Sequence, residues 1–226
     1  MSARTWKQVD VHLHSLDVGE EVLAQILPVL STDELERSRS AHDPAARRRT
    51  LAARGMLRDV LADYLDVDPV SLAFEYGPRG KPSLAGRLGQ RLRFSSSRSG
   101  GVAVLAVAFG REVGIDVERV DRKRALGPIA EQLFAPAEAA ELRALSPQER
   151  TRRFFEIWTR TEAYAKALGI GLAIPLRRVD AGSGGRLPGG WSLHDLPLGT
   201  GLAGALCVQG AGARVQMCPP LRLARA

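Results

Sequence analysis

Two acidic side chains stand two residues apart in the segment Gly114-Ile115-Asp116-Val117-Glu118. In a β-strand, residues i and i+2 point to the same face, so Asp116 and Glu118 would share one face. Two carboxylates roughly 6–7 Å apart repel each other unless a positive charge lies near them. A hard divalent cation such as Mg²⁺ suits this pair, and the alternative is an acidic strand edge that faces solvent.

A second set of chemically capable residues lies on a predicted helix, Arg150–Leu168. Steps of four residues place Trp158, Glu162 and Lys166 on one face of this helix. Gly169 follows, and glycine commonly ends a helix. The alternative to a functional role for the glutamate and the lysine is an ordinary surface pair, worth about 0.3–0.5 kcal/mol.

Arginine is concentrated on another predicted helix, Ala45–Tyr64, whose apolar residues recur at helical spacing. Its basic residues form either a solvated face or a site for an anion. These residues are Arg47, Arg48, Arg49, Arg54 and Arg58. Two further segments, Gly77–Pro82 and Ser95–Gly101, are rich in the small residues that are typical of turns and loops.

The elements that must position these residues alternate between strands and helices. Val9–Leu13 is predicted to be a half-buried strand, with His12 and His14 on its more exposed face. An almost unbroken apolar run, Val102–Phe109, indicates a buried strand, and Ala203–Gln209 indicates a late one. This order of elements fits two similar lobes that span residues 1–111 and 112–226.

Composition indicates a globular protein with a basic surface. The chain has 226 residues, 45% of them hydrophobic and 25% charged, which suffices for two small lobes. No segment has the apolar length of a membrane span or the pattern of a signal peptide. Cys207 and Cys218 lack the spacing of metal ligands, which favours reduced cysteines. A net charge of +7 favours acidic partners, and 5% aromatic residues without a recognised reading motif argue against nucleic acid.

Three motifs, in order and with the right spacing, resemble those of the surfactin-type 4′-phosphopantetheinyl transferases. Residues 114–118 match the family pattern G-[IV]-D-[IV]-E, and Phe154–Leu172 reproduces most of F-x-x-x-W-[ST]-x-K-E-[AS]-x-x-K-x-x-G-x-G-L. The segment Gly80–Leu84 matches G-K-P-x-L in full, and Phe94–Ser99 matches F-N-x-S-H-S in part. The resemblance extends from about residue 9 to about residue 209.

This resemblance implies an α+β fold of two pseudo-symmetric lobes, each a small, mostly antiparallel sheet packed on a long helix, with the active site in the cleft between them. It implies a Mg²⁺-dependent enzyme that transfers the 4′-phosphopantetheine group of coenzyme A to a serine of an apo acyl or peptidyl carrier protein and releases 3′,5′-adenosine bisphosphate. We expect a cytoplasmic monomer with an acidic carrier as its partner, without nucleic acid or membrane, that serves polyketide or nonribosomal peptide synthesis.

The resemblance also assigns residues to roles. Asp116, Glu118 and Glu162 would hold the Mg²⁺. Glu162 would deprotonate the carrier serine, and Lys166 would contact the pyrophosphate. Coenzyme A would be bound by Arg49, Lys81, Pro82, Ser97, Arg98 and Lys166. Within that set, Lys81 and Pro82 are expected at the adenine, and the arginines and Ser97 at the 3′-phosphate.

Two positions depart from the family pattern. Thr161 replaces a lysine, so a positive charge on the phosphates is missing, and Arg160 lies about 100° away around the helix. Arg98 replaces a histidine, which predicts that phosphate contact is kept with less sensitivity to pH near neutrality. The alternative function is a coenzyme A-binding relative with lost or reduced catalysis, and Thr161 is its main support.

Overall fold

The computed structural model describes residues 7–121, 127–171, 187 and 189–219. Its strands are β1 (Gln8–Ser15), β2 (Phe74–Tyr76), β3 (Pro82–Leu84), β4 (Leu92–Ser99), β5 (Val102–Phe109), β6 (Val113–Arg119), β7 (Trp191–Asp195), β8 (Leu202–Gln209) and β9 (Arg214–Cys218). Its helices are α1 (Glu20–Ile26), α2 (Thr32–Arg39), α3 (Pro44–Leu65), α4 (Gly86–Arg91), α5 (Gly127–Leu133), α6 (Pro136–Ala144) and α7 (Pro147–Leu168). The mixture of small sheets and helices confirms the predicted α+β class.

The strands form a four-stranded sheet, a three-stranded sheet and a short hairpin. The four-stranded sheet has the order β4-β5-β1-β9, in which β9 runs parallel to β1 and the other neighbours are antiparallel. The three-stranded sheet has the order β6-β8-β7 and is antiparallel throughout. Strand β9 follows the three-stranded sheet in the chain but pairs with β1 of the four-stranded sheet, so the chain returns to the first sheet after the second. The lobe boundary between residues 111 and 112 stays a prediction.

Two long helices and the contact between the sheets bury the core. Apolar residues of β1 and β5 pack with Ile115 and Val117 of β6, so one face of each large sheet contributes to a shared cluster. The other face of the four-stranded sheet packs on α3 through residues such as Leu61. Ala163 and Ala167 of α7 pack on β8 in the three-stranded sheet. Each large sheet therefore packs against the other sheet with one face and against a helix with its opposite face, as is typical of layered domains.

Strand β1 is more deeply buried than its alternating sequence predicts. Asp10, His12 and His14 are only 4%, 4% and 7% exposed, so the prediction that the histidines lie on an exposed face is wrong. The reason is α3, which covers that face of the sheet. The hydroxyl of Tyr64 donates a hydrogen bond to Asp10 Oδ2 at 2.5 Å and lies 3.0 Å from His12 Nε2.

Local signals explain where several elements begin and end. Asp43 accepts hydrogen bonds from two backbone amides and begins α3, and Gly169, with φ of +68°, ends α7 as predicted. Strand β4 continues through Ser99, so the serines expected in a loop lie in a strand. Of the helices in the described ranges, none has both the length and the apolar character needed to cross a membrane.

Candidate active site

A glycine sets the distance between the acidic strand and the long helix. A Cβ atom at Gly114 would lie 2.0 Å from the carbonyl oxygen of Ala163 and 2.2 Å from the backbone nitrogen of Ala167. Helix α7 therefore lies directly on β6, backbone against backbone. This contact brings the Glu162 and Lys166 turns of the helix to the strand that carries Asp116 and Glu118.

Asp116 lies at the centre of the site, 4% exposed. Its Oδ1 accepts hydrogen bonds from Lys166 Nζ and Ser97 Oγ, both at 2.7 Å. Lys166 Nζ also lies 2.8 Å from Ser97 Oγ, so the three groups form a closed triangle. The second oxygen, Oδ2, is buried and has no hydrogen-bond partner among the described residues. A strand, a helix and a neighbouring strand thus converge on one carboxylate.

Alternate serines of β4 connect that strand to β6. Ser95 Oγ accepts a hydrogen bond from the backbone amide of Ile115 at 3.1 Å. Ser99 Oγ donates to Glu118 Oε2 at 2.7 Å and accepts from the backbone amide of Arg119 at 3.0 Å. Ser95, Ser97 and Ser99 stand two residues apart, and this spacing was the available sequence signal, because strand residues i and i+2 share a face.

The acidic groups influence one another electrostatically. Burial raises the pKa of Glu162, and the negative charge of Asp116 raises it further, while Lys166 opposes both effects and Glu118 adds a smaller increase. Burial also raises the pKa of Asp116, against the opposing charge of Lys166. Three carboxylates and one ammonium group therefore share one electrostatic environment.

The donor atoms fit a hard cation in their chemistry. Carboxylate oxygens are the ligands that Mg²⁺ prefers, and the unpartnered Oδ2 of Asp116 is the kind of buried atom that a cation would satisfy. Within the described parts of the chain, no three His, Cys, Asp or Glu side chains are arranged as a set that could hold a metal ion. Lys166 and Ser99 contact oxygens that such an ion would need.

A cavity of about 370 Å³ lies beside this triangle. Six of the residues that line it matter here: His14, Thr50, Arg54, Pro82, Arg98 and Lys166. Arg98 donates a hydrogen bond to Thr50 Oγ1 at 2.7 Å. Burial lowers the pKa of Arg98, and the charge of Arg54 lowers it further. Two guanidinium groups that repel each other in a half-buried cavity favour an anion between them.

Two residues predicted to bind coenzyme A, Arg49 and Lys81, do not line this cavity. Arg49 Nε donates to Asp17 Oδ1 at 2.7 Å and lines a separate cleft of about 290 Å³ with Arg48. The structure brings Thr50, the next residue, to Arg98 instead. Sequence analysis named Arg54 among the arginines of a possible anion site but missed Thr50, although their spacing of four on α3 places both on one helix face.

Lys81 holds two elements together. Its Nζ donates to Glu112 Oε2 at 3.0 Å, to the carbonyl oxygen of Val113 at 3.2 Å and to that of Ala167 at 3.1 Å. It therefore fastens the start of β6 to the end of α7. Pro82, its neighbour, lines the arginine-containing cavity, and the coenzyme roles assigned to both residues stay predictions.

The substituted position on α7 does not regain a positive charge from its neighbour. Thr161 is buried, and Arg160 Nε donates to Asp195 Oδ1 at 2.7 Å, which directs that guanidinium to β7. Trp158 stacks on Phe154 with ring centroids 6.2 Å apart, in agreement with a packing role. Any replacement for the missing lysine must come from another element.

Fold and site together describe an α+β protein in which a lysine and two arginines line a cavity suited to a phosphorylated ligand, beside the buried carboxylate of Asp116. A family model described as the 4′-phosphopantetheinyl transferase superfamily matches residues 112–187. That segment contains Asp116, Glu118, Glu162 and Lys166.

Curated relatives carry the same description over more of the chain. The 4′-phosphopantetheinyl transferase HetI of Nostoc sp. is 40% identical over 167 residues, which cover 73% of this chain and 70% of the relative. AcpT of Salmonella typhimurium is 31% identical over 189 residues, or 83% and 91%. Sfp of Bacillus subtilis is 25% identical over 159 residues, or 70% and 69%. The chain belongs to the 4′-phosphopantetheinyl transferase superfamily and is an enzyme of that family.

Proposed function

We propose that this enzyme transfers the 4′-phosphopantetheine arm of coenzyme A to a serine of an apo acyl or peptidyl carrier protein, depends on Mg²⁺ and releases 3′,5′-adenosine bisphosphate. The observation that carries this proposal is the triangle of Asp116, Lys166 and Ser97 at the wall of an arginine-containing cavity. Its carboxylate and ammonium groups are the kinds of group that phosphoryl transfer requires.

Coenzyme A binding is assigned to the cavity. Arg54 and Arg98 lie on its wall with Thr50, and a phosphate accepts hydrogen bonds from guanidinium and hydroxyl groups. Lys166, on the same wall, lies between the cavity and Asp116 and would contact the pyrophosphate as a point charge. The cavity can hold part of coenzyme A, and the phosphopantetheine arm would extend from it toward the carrier protein.

In the transfer step, the carrier serine oxygen attacks the β-phosphate of coenzyme A. A new phosphorus–oxygen bond forms as the bond to 3′,5′-adenosine bisphosphate breaks, and the serine proton passes to Glu162. Glu162 is assigned this role by the family resemblance, and a carboxylate positioned beside the serine hydroxyl can accept its proton in the transition state. Lys166 neutralises charge on the phosphate oxygens, so positioning and electrostatics provide most of the catalysis.

By the family resemblance, Asp116, Glu118 and Glu162 are the residues that would hold Mg²⁺; they do not form a metal-binding set as they stand, so their side chains would have to rearrange. When bound, the ion would neutralise the negative charge of the pyrophosphate. To admit it, Lys166 Nζ would move from Asp116 Oδ1 toward the substrate phosphates, and Ser99 would continue to orient Glu118. The flexible four-carbon stem of lysine permits that movement.

Finer features belong to the same proposal. Each of the two larger sheets packs on a 22-residue helix, α3 or α7, which supports two pseudo-symmetric lobes. Cys207, a buried free cysteine, supports a reducing cytoplasmic location. A monomeric state and a role in polyketide or nonribosomal peptide synthesis are carried over from the resemblance.

Intact-mass spectrometry tests the proposal. The purified enzyme is mixed with coenzyme A, Mg²⁺ and a panel of apo carrier domains, and the carrier should gain the mass of one phosphopantetheine arm. A carrier with its acceptor serine changed to alanine, and a reaction with excess chelator, should gain none. Coenzyme A binding by calorimetry without transfer to any carrier would favour the alternative, a binding relative with lost catalysis, for which the buried Thr161 is the supporting observation.

A further inference from the structure

His14 lines the arginine-containing cavity but has no place in the proposed reaction. Its side chain is on β1, next to the walls formed by α3 and β4, and the residue is 7% exposed. Its Nε2 is buried and has no hydrogen-bond partner among the described residues. A buried polar atom without a partner is costly, so this nitrogen on the cavity wall is suited to bind a polar ligand group.

The fold holds the His14 ring in place. It stacks on His12 with ring centroids 6.1 Å apart and planes parallel to within 1°. His12 in turn lies 3.0 Å from the hydroxyl of Tyr64, which donates to Asp10. A buried series of polar side chains thus runs along β1 and α3 and ends at His14 on the cavity wall. The imidazole is positioned by packing before any ligand arrives.

The charged groups nearest to His14 lie on the other elements that line the cavity. Arg54 on α3, Arg98 on β4 and Lys166 on α7 line the same cavity and are cationic. Strand β5, which pairs with β1 and places Ala103 opposite His14, contains no titratable residue. Along β1, the neighbouring titratable groups are His12 and Asp10. On the other side, Cys218 of β9 lies opposite His12.

Burial favours the neutral form of His14. It lowers the pKa of His14 below its ordinary value, because a charged imidazole is poorly solvated there. A phosphate between Arg54 and Arg98 would reverse this balance, since its negative charge stabilises an imidazolium and its oxygens accept a hydrogen bond from it.

We propose that His14 is a further ligand-binding residue of this cavity, which donates a hydrogen bond to the phosphate held by Arg54 and Arg98 and takes up one proton from solvent as that phosphate binds. The inference rests on the proposed function, because the phosphate is taken to be the 3′-phosphate of coenzyme A. No covalent bond changes. This proposal also modifies the expectation drawn from Arg98. The arginine makes phosphate binding less sensitive to pH at position 98, but His14 on β1 would make the binding depend on pH again.

The sign of the effect follows from linkage. The pKa of His14 is low in the free enzyme and higher in the complex, so binding takes up protons between the two values. Affinity therefore rises as the pH falls through the pKa of the complex, and it levels off below the pKa of the free enzyme. The phosphate has its own pKa of about 6 and weakens binding below that, so the comparison is made above it.

Calorimetry at about pH 6.5 and about pH 8 tests this with coenzyme A and with 3′-dephospho-coenzyme A. Wild-type enzyme should bind coenzyme A about fivefold more tightly at the lower pH, with proton uptake revealed by buffers of different ionisation enthalpy. His14→Gln should lose most of this dependence, and the dephospho ligand should show little in either protein. His194→Gln is the matched control, because that half-buried histidine lies on β7, hydrogen-bonded to Ser192, and should keep the dependence.

Equal pH dependence in wild type and His14→Gln would overturn the inference. If that variant does not fold, nuclear magnetic resonance of the wild-type imidazoles decides, with 3′,5′-adenosine bisphosphate as the probe: a histidine pKa that rises on binding supports the inference, and four unchanged pKa values refute it. If wild-type enzyme modifies the carrier but His14→Gln keeps the wild-type pH dependence of coenzyme A affinity, only this inference is refuted. If His14→Gln loses the pH dependence but wild-type enzyme modifies no carrier, the proposed function is refuted and the role of His14 in binding remains.

Discussion

At the residue scale, Asp116 combines the two features on which the account depends. One oxygen accepts two hydrogen bonds, and the other is buried without a partner among the described residues. A buried carboxylate is stable only when charge or hydrogen bonds compensate its loss of water, and Lys166 provides that compensation here. The buried oxygen without a partner is the observation that motivates the proposed cation.

The site could be predicted from sequence only where its members share an element. Strand spacing predicted that Asp116 and Glu118 share a face, and helix spacing predicted the same for Glu162 and Lys166. The grouping of the two pairs into one site came from the family resemblance. His14 was predicted to lie on an exposed face because nothing local in β1 reveals that α3 covers that face.

Arg58 provides a stability prediction, because it forms a fully buried ion pair. It contacts Glu34 at 2.7 Å, both side chains are 4% exposed, and it donates to two backbone carbonyls. Arg58→Met leaves Glu34 buried without its partner, so the free energy of unfolding should fall by about 3–5 kcal/mol. Urea denaturation followed by circular dichroism measures this.

Arg152→Met is the matched control for that experiment. This arginine pairs with Glu156 but its side chain is 64% exposed, so the loss should stay below about 1 kcal/mol. Restoring an apolar partner with Glu34→Leu in the Arg58→Met background should recover part of the stability. Equal losses in the two single variants would show that the buried pair contributes no more than a surface pair.

At the element scale, the regular strands and helices were predictable and the contacts between them were not. The bounds of β5 agree with its apolar run, and α7 extends the predicted helix by one turn at its start. The serines of β4 were expected in a loop, since serine is common in turns. Their hydrogen bonds to β6 make a strand favourable there, and that neighbour is distant in sequence.

Gly114 tests whether the close contact between β6 and α7 matters for activity. Gly114→Ala places a Cβ about where the helix backbone runs, so helix and strand must separate. We expect a loss of about 1–3 kcal/mol in stability, typical of overpacking, and a larger loss of transfer rate than of coenzyme A affinity. Thermal unfolding, calorimetry and the carrier assay measure the three quantities.

Gly19→Ala serves as the comparison, because a Cβ at Gly19 meets nothing within 4 Å and its φ is −70°. It should leave transfer unchanged and cost no more than a helix N-cap, about 1 kcal/mol. Full activity in Gly114→Ala would mean that the spacing of helix and strand does not set the positions of the acidic groups.

At the scale of the whole molecule, charge is the property most open to test. The net charge of +7 would attract an acidic carrier over distances of about a Debye length, roughly 10 Å at 0.1 M salt. Raising salt from about 0.05 M to about 0.3 M should therefore increase the KM for the carrier several-fold while kcat changes little.

A neutralised carrier is the control for that prediction. Replacing acidic residues on the carrier surface with their amides should raise KM at low salt and remove most of the further increase with added salt. If KM for the native carrier is independent of salt over this range, the basic surface of the enzyme does not steer its partner.

The most direct test of the central claim is the rate of phosphopantetheine transfer to an apo carrier, measured by intact mass, in Asp116→Asn and Asp195→Asn. Both remove one carboxylate from the three-stranded sheet, but Asp195 pairs with Arg160 at the partly exposed end of β7. Asp116→Asn should remain folded and lose at least about 100-fold in transfer rate, whereas the transfer rate of Asp195→Asn should stay near that of wild type. Transfer at the wild-type rate by folded Asp116→Asn would contradict it.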